Sequence, residues 1–277
     1  MKDCKIRGGR VTIYIGQEVS VLNILKEKIE EKGSAIGTFL GVANVPIVEC
    51  LGYTGLDYVI IDTEHGPYDT ETMSDLIDAA AKSGLSPIVR IGDVTHKEIQ
   101  RAVDNGAEGI IAPCLRSIDD FKKLIDLAKF PPLGNRGFIK ARGSGFGNEP
   151  WAAGTLEDYM KQSNEKVLVL PQCETVEALE QIEEIVRLPG LDGIFIGPFD
   201  LSISMGIPGQ WDNPAFKAAL ERIHKACRKA GKLCLIYTNN AEEARLRLSE
   251  GYDAVANSID SIEFTKVYRA IVEEIRK

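Results

Sequence analysis

The sequence has little basic charge, few histidines and no long apolar run. Its 277 residues contain 33 lysines and arginines against 41 acidic residues. The resulting net charge of −8 argues against nucleic-acid binding, which requires a basic surface. No apolar run approaches the length of a membrane span, and the start lacks a charged head followed by an apolar core. We therefore expect neither a membrane segment nor a secretion signal, and the partners are expected to be small molecules.

The six cysteines are scattered, and no Cys-x-x-Cys pair occurs. A chain of this length buries enough surface to fold without a disulfide or a structural metal. Four of the cysteines lie in apolar runs, so we expect reduced, buried thiols and, with them, a cytoplasmic location.

Short apolar segments alternate with amphipathic helical segments from residue 36 onward. Segments that are apolar on both faces are typical of parallel strands covered by helices. Eight strand–helix units in a chain of this length predict an α/β fold, a (β/α)₈ TIM barrel, rather than an open sheet. The turn after the first strand, GVANVP, has no glycine-rich nucleotide motif. The predicted strands cover 36–42, 58–63, 86–91, 109–113, 166–172, 193–198, 232–238 and 253–259.

Two regions lie outside this alternation. Residues 1–19 are predicted to be an N-terminal extension with one short strand in RVTIYIG, and residues 20–277 a single barrel domain that begins with a helix over 20–32. The connection over 130–165 is unusually long and contains alternating glycines at 143–147, but no strand precedes them, so a dinucleotide site is not indicated. We expect a flexible flap at the barrel mouth instead.

Polar side chains stand at the carboxyl ends of the predicted strands, where a barrel of this type carries its chemistry. Charged groups at the ends of apolar strands are costly to desolvate unless they pair or bind something. Their occurrence on one face therefore predicts a functional site. They are Asp62, Glu64 and His65 after the second strand, Arg90 after the third, Gln172 and Glu174 after the fifth, and Asp200 after the sixth.

Glu174 and Asp200 form a candidate metal site, because two carboxylates at one mouth suit a hard divalent cation. The alternative is that each caps the helical segment that follows it. None of the eight strand ends carries a lysine, and only Lys140 in the long connection could serve a Schiff-base route. This absence favours a metal as the electron sink.

His65 and Arg90 are candidate catalytic residues. A neighbouring carboxylate can orient the imidazole of His65 and tune it for proton transfer, although a histidine that merely secures the turn is the alternative. Arg90 ends an apolar strand and could clamp a substrate carboxylate or stabilise an enolate oxygen. A structural pair of Arg90 with Asp62, Glu64 or Asp104 is the other interpretation.

Several stretches together resemble one known family. They are GTFLG, DYVIIDTEHGP, PIVRIG, AVDNGAEGIIAP, FPPLGNRG, QCET and DGIFIGPFDLSISMG, in the family's order over about residues 34–260. The chain resembles the 4-hydroxy-2-oxoheptanedioate aldolases, class II pyruvate aldolases of the phosphoenolpyruvate/pyruvate barrel superfamily. It departs from their pattern at VANSID (255–260), where a glycine is usual, and at Cys173, where an aliphatic residue is usual.

This resemblance implies reversible cleavage of a 4-hydroxy-2-oxo acid to pyruvate and an aldehyde. A divalent metal (Mg²⁺, Mn²⁺ or Co²⁺) on Glu174 and Asp200 would bind pyruvate, and Arg90 would stabilise the metal-bound pyruvate enolate. The resemblance also implies a homo-oligomer, a trimer or hexamer, in which the last helix over 261–277 packs on a neighbouring copy.

The resemblance assigns the remaining residues of the site as well. His65 is implied to be the acid/base residue, supported by Asp62 and Asp104, and Gln172 to lie near the keto acid. The backbone after Gly197-Pro198 would help to seat the substrate carboxylate. Other carbon–carbon lyases that use the same site, such as a decarboxylase, remain open, and so does a non-catalytic metabolite-binding barrel.

Overall fold

The computed structural model describes residues 23–277 and, before them, only two short strands. These strands, β1 (Cys4–Ile6) and β2 (Gly9–Val11), pair antiparallel in a separate sheet. The strand expected in RVTIYIG therefore begins one residue earlier, at Gly9, and pairs with β1, which precedes it in the sequence. The rest of the predicted extension, and residues 20–22 of the predicted first helix, lie outside the described residues.

The strands of the main sheet occur in all eight predicted positions, with the fifth divided in two. They are β3 (Ala35–Leu40), β4 (Tyr58–Asp62), β5 (Ser86–Arg90), β6 (Gly109–Ile111), β7 (Leu168–Val169), β8 (Gln172–Cys173), β9 (Gly193–Ile196), β10 (Leu233–Thr238) and β11 (Ala254–Ile259). The helices are α1 (Ile24–Lys32), α2 (Val45–Gly52), α3 (Thr70–Lys82), α4 (His96–Asp104), α5 (Ile118–Ala128), α6 (Leu156–Lys166), α7 (Val176–Glu180), α8 (Ile182–Ile185), α9 (Pro198–Ser204), α10 (Pro214–Ala230), α11 (Ala241–Ser249) and α12 (Asp260–Ile275).

The nine strands form one parallel sheet in the order β7-β6-β5-β4-β3-β11-β10-β9-β8. Its two edge strands are consecutive in the chain, separated only by Leu170 and Pro171. On one side Leu170 donates its N–H to the Ile110 carbonyl near β6, and on the other Phe195 of β9 donates to the Pro171 carbonyl. The sheet is thus strongly curled. The predicted α/β class is confirmed, and the curled sheet is consistent with a TIM-like barrel that is interrupted at this stretch.

The strands are buried on both faces, as their uniformly apolar sequences predict. Along β4, Tyr58 and Ile60 belong to a cluster inside the curl with Phe39 and Phe195, whereas Val59 and Ile61 pack outward against the helices. Two layers of core on one sheet hold the strand ends rigidly. The backbone positions from which side chains project at those ends are therefore fixed.

Local signals in the sequence determine where the elements begin and turn. Asn23 caps α1 by accepting from the Lys26 N–H, and Gly33 ends the helix at a φ of +81°. In β11 the register against β3 shifts, and Ser258 has a φ of +59°. Glycine adopts this left-handed conformation most readily. The segment VANSID lacks the glycine that is usual there, but its backbone at Ser258 still adopts a conformation that glycine favours.

The long connection over 130–165 packs along helices α3 and α4. It contains two short 3₁₀ helices (Arg142–Gly147 and Pro150–Ala152) and most of α6. Arg142 donates to Ser74 on α3, and Gly143 lies against Gly106 after the end of α4. Helix α4 starts beside the carboxyl end of β5 and runs back toward the amino ends of the strands. The connection is therefore attached to the flank of the sheet around Arg142 and Gly143, whereas Gly137 lies near His96 at the start of α4. The flap at the mouth stays a prediction.

The five cysteines within residues 23–277 are free. Cys173, Cys227 and Cys234 are buried, as expected, but Cys50 and Cys114 are exposed. No helix in the described part of the chain is both long and apolar enough to cross a membrane.

Candidate active site

A cavity of about 250 Å³ opens at the carboxyl ends of the strands. Predicted site residues from four strands, β4, β5, β8 and β9, and from the loops after them meet there. The residues that line it are Phe39, His65, Arg90, Gln172, Phe195, Gly197, Pro198, Phe199, Asp200, Tyr237 and Ile259.

Arg90 is held between two carboxylates. Its Nε and Nη2 donate to the two oxygens of Asp62, at 2.8 and 2.6 Å, and its Nη1 lies 3.1 Å from Glu64 Oε2. Burial alone would lower the pKa of Arg90, but the hydrogen bond and charge of Asp62, followed by Glu64, raise it above its usual range. The guanidinium is therefore a fixed positive charge. The structural pairing of Arg90 with Asp62 and Glu64, which the sequence left as an alternative, is present. Arg90 nevertheless also lines the cavity.

His65 projects outward at the rim, with 71% of its side chain exposed. The turn before it is secured by Asp62, whose Oδ1 accepts from the backbone N–H groups of Glu64 and His65. The carboxylate close to its imidazole is that of Glu64, with Nε2 and Oε2 3.8 Å apart. Asp62 thus supports His65 through the backbone, whereas Glu64 is placed to orient the ring.

Glu174 is almost fully buried beside the cavity. Its Oε1 accepts the Cys114 N–H at 2.6 Å, and its Oε2 is bonded to Nε2 of Gln172. Burial raises the pKa of Glu174 to about 7, against the lowering effect of the Cys114 N–H, and the charges of Asp200 and Glu64 raise it further. A buried carboxylate surrounded by other carboxylates is stabilised by a cation.

The helix-capping alternative for the two carboxylates is wrong. Thr175, not Glu174, caps α7, because its side chain accepts from the Ala178 N–H. Asp200 lies inside the first turn of α9 and caps nothing. Within residues 23–277 no hydrogen bond or ion pair engages the Asp200 carboxylate, which is exposed toward the cavity. Both carboxylates therefore have oxygens available for a ligand.

Gly197 allows Gln172 and Glu174 to approach the neighbouring strand. A Cβ at this position would lie 2.5 Å from Glu174 Oε2 and 2.9 Å from Gln172 Nε2. Pro198, the first residue of α9, follows it and lines the cavity. Only glycine leaves the carboxylate where it is.

Asp104 is the one predicted site residue that the structure does not bring to this cavity. It ends α4, and its Oδ1 accepts from Arg136 Nη2 at 2.8 Å. Helix α4 runs from the carboxyl ends of the strands toward their amino ends, so its last residue lies near the opposite edge. Within one chain, Asp104 is not placed to support His65.

The donor set matches a hard cation that keeps open positions. Within the described part of the chain, no group of three or more His, Cys, Asp or Glu side chains could enclose a metal. Two carboxylates, Glu174 and Asp200, leave room for water and substrate oxygens, as Mg²⁺ sites commonly do. The buried, unpartnered Oε1 of Gln172 is a further polar atom at this point. These residues fit a divalent metal.

Sequence reasoning missed three functional candidates and gave a fourth no catalytic role. Glu64 was named among the strand-end residues but was assigned only a possible pairing with Arg90, although it contacts both Arg90 and His65. Phe39, Phe199 and Tyr237 line the cavity but carry no charge, so the search for polar strand ends passed over them. Their position at or just after the ends of β3, β9 and β10 was the signal that could have identified them.

Known proteins similar to this chain are found by sequence and by structure. A family model described as HpcH/HpaI aldolase/citrate lyase matches residues 35–266. A 4-hydroxy-2-oxo-heptane-1,7-dioate aldolase of Salmonella dublin is 33% identical over 241 residues, covering 86% of this chain and 89% of that protein. A hydroxypyruvate/pyruvate aldolase of Agrobacterium fabrum is 33% identical over 251 residues, covering 90% and 92%. A solved HpcH/HpaI aldolase from Desulfitobacterium hafniense has a TM-score of 0.84 at 30% identity, covering 92% and 98%.

These matches extend over most of the chain. They confirm the family resemblance that the motifs indicated, and with it the predicted aldolase function, since aldolases make and break carbon–carbon bonds. The chain belongs to the HpcH/HpaI aldolase/citrate lyase family.

Proposed function

We propose that the protein is a metal-dependent pyruvate aldolase that reversibly cleaves a 4-hydroxy-2-oxo acid to pyruvate and an aldehyde. The observation that carries the proposal is one small cavity lined by Asp200 and Arg90, with the buried Glu174 directly behind its lining residues Gln172 and Gly197. The named aldolases among its relatives support it. Cleavage needs a group that accepts an electron pair and a group that moves a proton, and the cavity has candidates for both.

Glu174 and Asp200 would hold a divalent metal, Mg²⁺, Mn²⁺ or Co²⁺. When bound, it supplies Lewis-acid chemistry that makes protons next to the keto group acidic. The chain prepares this position through Gln172 and the Cys114 N–H, which orient the Glu174 carboxylate. Gln172 also faces the cavity, where its amide is placed to contact the keto acid.

The bond changes assign roles to the remaining residues. In cleavage, the 4-hydroxyl proton is removed, the C3–C4 bond breaks, and the electron pair stays with the pyruvate half as its enolate, which then takes a proton at C3. His65 at the rim is the group that moves the hydroxyl proton. Arg90, fixed by Asp62 and Glu64, stabilises the enolate oxygen. The backbone at Gly197–Pro198 seats the carboxylate, and Asp104 as a support for His65 stays a prediction.

The finer architecture is part of the proposal. We infer that β7 and β8 act as one strand of a closed eight-stranded barrel, because the chain from Leu168 to Cys173 bonds to β6 on one side and to β9 on the other. The missing N–H of Pro171 accounts for the break in the ladder. The free thiols support a cytoplasmic location.

Helix α12 supports an oligomer. None of its residues is buried. We propose that this helix packs on a neighbouring copy in a trimer or hexamer, because apolar side chains repeated along an exposed helix mark an interaction surface. Those exposed on α12 are Ile262, Phe264, Val267, Tyr268, Ile271, Val272 and Ile275.

Exchange of the pyruvate methyl protons with D₂O tests the proposed function. The purified protein is treated with chelator and assayed by NMR with and without added Mn²⁺. We expect exchange to require the metal. Exchange that survives complete chelation would contradict the mechanism. Carbon–carbon bond formation from pyruvate that depends on an added aldehyde then separates an aldolase from a decarboxylase that uses the same site.

A further inference from the structure

The cavity has two chemically different walls. The proposed function uses the polar one, formed by His65, Arg90, Gln172 and Asp200. The other wall is mainly apolar and consists of Phe39, Phe195, Phe199, Tyr237 and Ile259; it adjoins the polar wall where Arg90 Cζ lies 4.9 Å from the centre of the Phe39 ring. Because the pyruvate half of the substrate occupies the polar wall, the aldehyde half must contact the apolar one.

The aromatic rings of this wall form a connected series. The Phe39 ring lies 6.0 Å from that of Phe195 and 5.8 Å from that of Tyr237, in edge-to-face arrangements. Phe199 lies 5.8 Å from Tyr237 and 5.0 Å from Trp211. Rings packed in this way hold one another in place. The wall is therefore a rigid surface that does not rearrange to expose polar groups.

The charges around the cavity disfavour an acidic acceptor. Among the described residues that line it, only Arg90 and His65 can carry positive charge. Three nitrogens of Arg90 are already directed at Asp62 and Glu64. A second carboxylate on the substrate would find no free cation and would lose its hydration against an apolar wall.

The cavity is also small. Its volume of about 250 Å³ falls below the roughly 300–1,000 Å³ of pockets for drug-sized ligands. With pyruvate in place, the remaining space suits one ring or a short branched chain.

We propose that the aldehyde substrate is uncharged and compact, with an aromatic or branched apolar body. This inference rests on the proposed function, because it identifies the second substrate of the same site. It separates this chain from the Salmonella dublin relative, whose name specifies a dioate. The reaction forms a bond between the pyruvate methyl carbon and the aldehyde carbon. The methyl group loses a proton, and the aldehyde oxygen gains one.

Two aldehydes that share the same aromatic ring test the inference. Mn²⁺-loaded enzyme is given pyruvate with benzaldehyde or with 4-carboxybenzaldehyde, which differ by one carboxylate. We expect kcat/KM to be at least about 10-fold higher for benzaldehyde, because the buried charge has no partner. Equal rates, a preference for the carboxylated aldehyde, or turnover of neither would overturn the inference.

The pyruvate methyl exchange keeps the two proposals apart. It needs no aldehyde and reports the metal–pyruvate half of the site alone. If the methyl protons exchange but benzaldehyde is not preferred over 4-carboxybenzaldehyde, only the inference about the aldehyde is overturned. Absence of exchange in the loaded enzyme overturns the proposed function, and the inference falls with it.

A variant of the apolar wall provides a second test. Tyr237→Arg places a cation beside the acceptor without touching the residues assigned to the reaction. We expect it to reduce the preference for benzaldehyde over 4-carboxybenzaldehyde at least about 10-fold. Thermal unfolding confirms that the variant is folded. An unchanged preference in a folded variant would contradict the assignment of this wall to the aldehyde.

Discussion

The guanidinium of Arg90 meets the carboxylate of Asp62 in a two-point contact, with N–O distances of 2.8 and 2.6 Å. The two residues are directly paired across the parallel ladder of β4 and β5. The register of two strands thus sets the position of the cation in the cavity. A planar guanidinium satisfies this geometry, and a lysine ammonium does not.

Arg90→Lys tests that relationship. We expect kcat for pyruvate formation to fall by about 100- to 1,000-fold, because a preorganised donor to the developing oxyanion is lost. Steady-state kinetics measure it. Arg222→Lys is the matched control, since Arg222 makes the same two-point contact with Glu183 on the surface. A fall of similar size in the control would show that the effect is not local to the site.

Glu174→Gln tests the metal site. The amide keeps the shape of the side chain but removes its charge. We expect Mn²⁺ affinity, measured by isothermal titration calorimetry, to fall by more than about 100-fold, because even residues behind metal ligands contribute 10- to 100-fold. Glu177→Gln is the control: its side chain lies three residues further on, exposed on α7, and pairs with Arg116. Unchanged affinity in Glu174→Gln would remove Glu174 from the ligand set.

Gly197→Ala tests the close approach beside Glu174. The added methyl group would lie within 2.5 Å of the carboxylate oxygen, so Glu174 or the strand must move. We expect Mn²⁺ binding to weaken at least about 10-fold, since small displacements of positioned groups have large effects. Gly92→Ala is the control, because a Cβ there meets its nearest neighbour at 3.4 Å, an ordinary contact. Equal Mn²⁺ affinity in the two variants would contradict the prediction.

Ile271→Glu tests the exposed face of α12. A charge in an apolar interface between copies is expensive to desolvate. We therefore expect a shift to smaller species in size-exclusion chromatography with light scattering. Arg269→Glu reverses a charge on the same helix and serves as the control. If Ile271→Glu keeps the native mass, α12 does not form the interface.

Lys129→Met tests a buried cation outside the site. The Lys129 ammonium donates to the Asn164 and Val167 carbonyls and to Asp192. Its removal leaves these acceptors without a donor, so we expect a loss of about 3 kcal/mol in the free energy of unfolding. Denaturant titration measures the loss. Activity of the folded fraction should be unchanged, because Lys129 does not line the cavity.

Much of the fold was predictable because each strand is apolar throughout and each helix is amphipathic. The division of the fifth strand was not. The pattern of apolar residues continues through Leu170 and Pro171, and only the ladder on both sides shows where it is interrupted. The position of the connection over 130–165 was likewise beyond prediction, because contacts such as Arg142 with Ser74 join residues far apart in the sequence.

The site was predictable to the extent that it is made of charged groups at strand ends. The expected gathering on one face is seen for Glu174, Asp200, His65 and Arg90. The reason is that the carboxyl ends of all strands meet at one edge of a curled parallel sheet. Asp104 did not follow, because a helix carries its last residue to the other end of the sheet. The aromatic residues escaped notice because apolar side chains at strand ends are ordinary in a core.

The stretch from Leu168 to Cys173 joins the first and second halves of the sheet, and Gln172 and Glu174 belong to it or follow it at once. No fragment that lacks either half can therefore assemble the cavity. During synthesis the cavity can form only after β11, which carries Ile259, has emerged, so ligand affinity arises with the completed fold. Ligands of this site act as selective stabilisers of the whole chain, and unfolded or truncated molecules do not compete for them.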